Sequence, residues 1–162
     1  DRERLTAIKQ ELDVARRIQL SMIPRTFPAF PERNEFDIYG DIKTARDVGG
    51  DFYDFCILEG DRLYFAIGDA SGKGVPAALF MAVTRTMIKA DAVKGHSPEK
   101  CLSETNKILC MENEFSMFIT AFCGILDIGT GEVVYSNGGH KLPLLLRAGP
   151  EIETLPNTDG IA

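Results

Sequence analysis

Asp51-Phe52-Tyr53-Asp54-Phe55-Cys56-Ile57-Leu58-Glu59-Gly60-Asp61-Arg62-Leu63-Tyr64-Phe65-Ala66-Ile67-Gly68-Asp69-Ala70 is the stretch that decides how the chain folds. Phe52 to Leu58 and Arg62 to Ile67 are rich in aromatic and β-branched residues, and Glu59-Gly60-Asp61 between them has the composition of a tight turn. The segment predicts a β-hairpin. With Gly60 at its centre, facing positions sum to 120, so Asp51 falls opposite Asp69. A slip of two residues leaves both side chains on one face and within diagonal reach. Two carboxylates placed like this repel each other unless a proton or a cation compensates. Oxygen ligands with no His or Cys nearby suit Mg²⁺ or Mn²⁺.

Outward from the hairpin, Phe36 to Lys43 alternates through Phe36, Ile38, Gly40 and Ile42 and predicts a strand. After Gly74 the period lengthens. Val75, Ala78, Leu79, Ala82, Val83, Thr86, Met87 and Ala90 follow helical spacing, and Pro76 suits a first turn. Pro98 to Met111 predicts a second helix with Leu102, Thr105, Ile108 and Leu109 as its inner stripe. Strands return at Met117 to Ile128 and Glu132 to Ser136, joined through Gly129-Thr130-Gly131, and again at Leu142 to Arg147 and Glu151 to Leu155. This order lacks the regular alternation of a parallel sheet. It predicts an α+β fold of antiparallel sheets with helices packed outside, and Phe118 to Leu126, apolar on both faces, is its most enclosed strand.

Leu5, Ile8, Leu12, Ala15, Gln19 and Met22 recur at a 3-4-3-4-3 spacing that keeps one seam along a helix. The alternatives are a surface helix lying on its own domain and a coiled-coil connector to an upstream domain or a second copy. Charged flanks such as Arg2, Arg4, Lys9 and Glu11 favour the connector, and hence a possible homodimer through residues 5–22. Pro24, Pro28 and Pro31 then forbid helix. The expected organisation is a linker helix at 1–23, a proline-rich linker at 24–35 and a catalytic domain from 36 to 162.

The 162 residues are 44% hydrophobic and 26% charged, as expected of one globular domain with a real core. A net charge of -6 without any Lys/Arg block excludes a nucleic-acid footprint. The uncharged run Val75 to Thr84 falls short of the roughly 18 residues that a membrane span needs, so no membrane contact is expected of this chain. Cys56, Cys101, Cys110 and Cys123 form no C-x-x-C pair and read as small core residues in a reducing, cytoplasmic compartment. The chain opens on Asp1 with a helix already under way, as a piece of a longer protein would.

Glycines crowd both acidic positions: Gly49-Gly50 before Asp51, and Gly68, Gly72 and Gly74 around Asp69. Glycine lets backbone approach a metal or a phosphate closely. The loop Asp69-Ala70-Ser71-Gly72-Lys73-Gly74 leads straight into a helix, whose first amides favour anions. A Walker P-loop is excluded by spacing, because only three residues separate Gly68 from Gly72 and Gly74 follows Lys73 in place of Ser or Thr. Ser71 has no neighbouring His to act as its base. His140, in Asn137-Gly138-Gly139-His140, reads as either a structural turn residue or a site residue.

The motifs Val48-Gly49-Gly50-Asp51-Phe52-Tyr53-Asp54 and Gly68-Asp69-Ala70-Ser71-Gly72-Lys73-Gly74-Val75-Pro76-Ala77-Ala78-Leu79 closely resemble the SpoIIE-like branch of the metal-dependent PPM serine/threonine phosphatases. Ala15-Arg16-Arg17-Ile18-Gln19 leading to Ile23-Pro24, and the Asn137 to His140 turn, are similar to that family too. The resemblance implies an αββα arrangement, two antiparallel sheets sandwiched between helices, and two Mn²⁺ or Mg²⁺ ions that activate a water. By position, Asp69 would bridge both ions, the Ala70 carbonyl would hold one and Asp51 the other. Ser71, Gly72, Lys73 and Gly74 would form the phosphate loop. Family members carry further metal aspartates near the C-terminus, one in an Asp-Gly step. Thr158-Asp159-Gly160 mimics that step without an apolar strand before it, so the C-terminal part of the fold and the remaining ligands are expected beyond residue 162. The implied activity is hydrolysis of phosphoserine or phosphothreonine on a regulatory protein of the anti-sigma-factor-antagonist type, under an upstream sensor or receiver domain. The alternative is an inactive relay module of the same fold that binds such a partner.

Overall fold

Gly60 and Asp61 both adopt positive φ, 74° and 54°, and reverse the chain between β1 (Asp51–Leu58) and β2 (Arg62–Ala70). These torsions match the right-handed twist of paired strands, and their cost falls on a glycine and on an aspartate, a residue type that tolerates them. The structure is a computed structural model and describes residues 2–43, 48–111 and 113–158. Before the hairpin stands α1 (Arg2–Ser21); after it come α2 (Val75–Val93), α3 (Pro98–Met111), β3 (Ile119–Asp127), β4 (Val133–Gly138), β5 (Leu144–Leu146) and β6 (Ile152–Thr154). The first four strands form one antiparallel sheet in the order β1-β2-β3-β4, and β5 pairs with β6. The α+β class and the antiparallel sheets are those expected from the sequence. The Asp159-Gly160 step lies outside the described residues.

Even-numbered residues of β1 and β2 point towards the helices. Phe52, Ala66 and Ala70 join Ala77, Met81, Ile88 and Ala92 of α2, Cys101 of α3 and Cys123 of β3 in the larger core. Odd-numbered residues form a second cluster on the opposite face, where Phe55 and Leu63 meet Phe27, Phe30, Phe36 and Ile38. The proline-rich segment thus lies against the sheet. Tyr53 fastens it there, its hydroxyl 2.6 Å from the Pro24 carbonyl oxygen and 3.1 Å from that of Gly40.

Three expectations change. Phe36 to Lys43 is not a strand: Phe36 and Ile38 do turn inward, but the segment has no ladder partner and serves as an extended cover. The apolar stripe read on α2 is its open side, because Ala77, Met81, Thr84, Ile88 and Ala92 are the buried residues while Val75, Leu79 and Val83 are exposed. On α3, Cys101 and Thr105 are buried and Ile108 is exposed, so the inner stripe is displaced by about one position. Of the cysteines, Cys101 and Cys123 are core residues, Cys56 is half-buried and Cys110 is exposed.

Asp54 is the charge buried under α2. It is 1% exposed, with Arg85 Nη2 2.9 Å from Oδ2 and Lys89 Nζ 3.1 Å from Oδ1. Arg85 and Lys89 stand one turn apart, so a single face of α2 supplies both cations. Removing a member of a buried ion pair strands the others without hydration. Asp54→Ala is therefore expected to lower folding stability by about 3 kcal/mol, read from urea unfolding midpoints; an unchanged midpoint would show the cluster to be energetically idle.

Candidate active site

The strand pairings build the site as a row. Asp51 pairs with Asp69 across β1 and β2, and Asp69 pairs with Thr120 across β2 and β3. Neighbouring strands lie about 4.8 Å apart, so the three side chains stand side by side on the sheet face opposite the helices. His140 extends the row, its Nδ1 2.8 Å from Thr120 Oγ1. The loop that carries His140 is built by Asn137, which is 1% exposed. Asn137 Oδ1 accepts from the His140 amide at 2.9 Å, and its Nδ2 donates to the His140 carbonyl at 2.9 Å and to Asn157 Oδ1 at 3.2 Å. A side-chain amide with one acceptor and two donor positions suits this clamp, as a carboxylate would not.

Asp51 and Asp69 are both exposed, and among the described residues neither has an ion-pair partner. The Asp51 carboxyl is held above its ordinary pKa, first by lost hydration, then by the hydrogen bond and charge of Asp69. Burial holds the His140 imidazole below its ordinary value, partly offset by Asp69.

Ala70 lies where β2 ends, its amide donating to the Gly50 carbonyl at 3.0 Å. A Cβ on Gly50 would stand 2.7 Å from the Ala70 carbonyl oxygen, so only glycine lets the two strand ends approach this closely. Ser71 clasps β3: its amide donates to the Phe118 carbonyl at 2.8 Å and its hydroxyl accepts from the Phe118 amide at 2.9 Å. Gly74 caps α2 at φ 68°, ψ -146°, and nothing within 4 Å would meet its Cβ. What glycine provides at 74 is a torsion and not room for a ligand, so Gly74→Val would cost stability and is no clean probe of the loop. Lys73 is exposed at one end of a groove of about 880 Å³, whose apolar wall includes Val75, Leu79 and Val83.

Two exposed carboxylates and the Ala70 carbonyl form an all-oxygen donor set, the kind that hard divalent cations prefer. Among the described residues no cluster of three or more His, Cys, Asp or Glu is gathered in one place, so these donors fit part of a coordination shell.

A family model for stage II sporulation protein E (SpoIIE) matches residues 59–162. The chain is 29% identical to protein IcfG of Synechocystis sp. over 91% of its own length and 29% of that protein's. It is 28% identical to the phosphoserine phosphatase RsbU of Bacillus subtilis, over 83% of its length and 39% of RsbU. Among solved structures, the SiaA-PP2C domain of Pseudomonas aeruginosa superposes with a TM-score of 0.74 at 25% identity, covering 96% of this chain and 63% of that one. The RsbU and RsbW domains of Rv1364c from Mycobacterium tuberculosis match at 0.65 with 31% identity, over 72% of this chain and 32% of that one. The chain thus spans about a third of the length of the curated relatives it matches. The fold and these relatives define a PPM-type phosphatase domain. Within that class, the chain belongs to the SpoIIE family.

Two residues of the site escaped the sequence reading. Thr120 is a polar residue at the start of an apolar strand, a signal that acquires meaning only with the β2–β3 register. Gln19 read as a seam position, yet it is buried and its amide pairs with the backbone of Gly49: Nε2 donates to the Gly49 carbonyl, and the Gly49 amide donates to Oε1 at 3.2 Å.

The raised Asp51 pKa carries a sign. Protonation favours the folded state, so the group's unfavourable contribution grows as pH rises through its folded pKa and vanishes below the ordinary carboxylate value. In chelator, Asp51→Asn is expected to melt at a higher temperature than the parent at pH 7. That gap should close as the pH falls to about 4, which thermal unfolding at several pH values would check.

Proposed function

We propose that this chain is the catalytic domain of a metal-dependent phosphoserine/phosphothreonine phosphatase whose substrate is a phosphorylated regulatory protein. The observation that carries the reading is the Asp51–Asp69 pairing: two exposed carboxylates with no ion-pair partner among the described residues, on a glycine-edged sheet face. Asp51, Asp69 and the Ala70 carbonyl would hold Mn²⁺ or Mg²⁺, with Asp69 shared between two ions and the remaining ligands supplied from beyond residue 162. Bound ions supply charge that draws in the phosphoryl group and acidifies water. Asp51 and Asp69 hold that charge at one edge of the row. Lys73 and the first turn of α2, which has no capping side chain, add positive potential on the next loop. RsbU, by its name a phosphoserine phosphatase, supports the ester class. The exposed apolar side of α2, beginning beside Lys73, supports a protein substrate over a small ester. The setting would be sigma-factor regulation by partner switching, with an upstream sensor or receiver domain acting through residues 1–23.

Activity on a phosphoserine peptide is expected to require added Mn²⁺ or Mg²⁺ and to vanish in excess chelator. Asp69→Asn should lower kcat by at least about 1000-fold, with an unchanged circular dichroism spectrum. Full turnover in chelator, or by that variant, would refute the assignment.

The route from α1 to the site is Gln19. Its reciprocal pair with Gly49 stands two residues before Asp51, while Leu5 and Ile8, further up the same helix, are 61% and 47% exposed and available to a second helix. A change in helix pairing would thus reach Asp51 through one side chain. Gln19→Ala is expected to lower kcat about 10-fold and to reduce the effect of deleting residues 2–18; equal response of parent and variant to that deletion would remove Gln19 from the route.

A further inference from the structure

The phosphatase reading leaves His140 without a role, and the hydrogen bonds around it supply one. Its loop is rigid at both ends, since Asn137 bonds the His140 amide and carbonyl at 2.9 Å each, while Thr158 Oγ1 accepts from the Asn137 amide at 2.7 Å. The ring is anchored by Nδ1 on Thr120, the residue in register with Asp69. Thr120 Oγ1 lies 2.8 Å from Nδ1 and 3.5 Å from the Asp69 carbonyl. Placing the hydroxyl proton on the shorter contact makes Nδ1 the acceptor, and this is the tautomer that the inference adopts and its first measurement tests. An imidazole that accepts at Nδ1 carries its own proton on Nε2. Among the described residues Nε2 has no hydrogen-bond partner.

We infer that His140 is a catalytic residue that donates a hydrogen bond from Nε2–H to an oxygen of the substrate's phosphoryl group, and that Thr120 is the positioning residue that fixes this tautomer. The inference rests on the phosphatase reading and deepens it by assigning the far end of the row. No bond is made or broken at the imidazole. Its neutral ring donates one hydrogen bond, strongest when charge builds on the phosphoryl oxygens, while the carboxylates at the other end carry the cations. A donor used in this way acts on kcat more than on KM.

Two measurements test it. In the metal-free protein, ¹⁵N–¹H correlation spectra of the imidazoles should show His140 as the Nε2–H tautomer, and Thr120→Val should convert it to a mixture. With Mn²⁺ and a phosphoserine peptide, His140→Ala should lower kcat about 100-fold with KM changed less than about threefold. Thr120→Val should cost about 10-fold, Thr120→Ser should keep the parent rate, and Thr120→Val/His140→Ala should be no slower than His140→Ala alone. An Nδ1–H tautomer in the parent, a His140→Ala variant with parent kcat, or multiplying losses in the double variant would overturn the inference. A parent protein without Mn²⁺-dependent hydrolysis would overturn the phosphatase reading and this inference with it. An active parent whose His140→Ala variant keeps its rate would overturn this inference alone.

Discussion

Repulsion between Asp51 and Asp69 is the constraint around which the structure is arranged. An antiparallel register tolerates two carboxylates opposite each other only where water or a cation compensates them, and here the pair sits at the end of the hairpin on the open sheet face. The same register sends Phe52, Ala66 and Ala70 into the helix-covered core. A slip of one residue would bury the carboxylates and expose the aromatic residues. Catalytic geometry and hydrophobic packing are therefore one choice.

α2 transmits that choice to the rest of the domain. Its inner face packs on the sheet through small residues, Met81 and Ile88, and one and two turns beyond Met81, Arg85 and Lys89 grip Asp54. Its first turn follows directly from Asp69 through the loop clasped to Phe118. A rotation of α2 would strain the Asp54 cluster and displace that loop together. This mechanical link leaves the apolar outer side of the helix open, where a bound protein would act on the same rigid body.

Much of this was legible in the chain. The Gly60-centred hairpin and the Asp51–Asp69 pairing follow from local composition, because a three-residue turn fixes register without distant information. The span of α3 is equally local. The inner face of α2 was not legible: Val75, Leu79 and Val83 are as apolar as Met81 and Ile88, so periodicity has little contrast and burial is decided by what packs against the helix. Phe36 to Lys43 alternates because Phe36 and Ile38 do turn inward, but pattern cannot report that no strand lies alongside. Thr120 was hidden for a related reason, and His140, though a candidate from its turn, could not be placed beside it. Their place depends on pairing between segments remote in sequence, which no local window contains.

That difference in range also orders the site in time. Asp51 and Asp69 meet through a hairpin whose closing loop is three residues long, a contact that forms early and at small entropic cost. Thr120 reaches Asp69 across 51 positions, a contact whose closure costs more chain entropy than the hairpin's. A chain in which only the hairpin has formed has the Asp51–Asp69 pair but lacks the Thr120–His140 end of the row. A divalent ion captured at that stage would stabilise the hairpin against opening by mass action. Such an ion would then favour folding of the domain before it served any turnover.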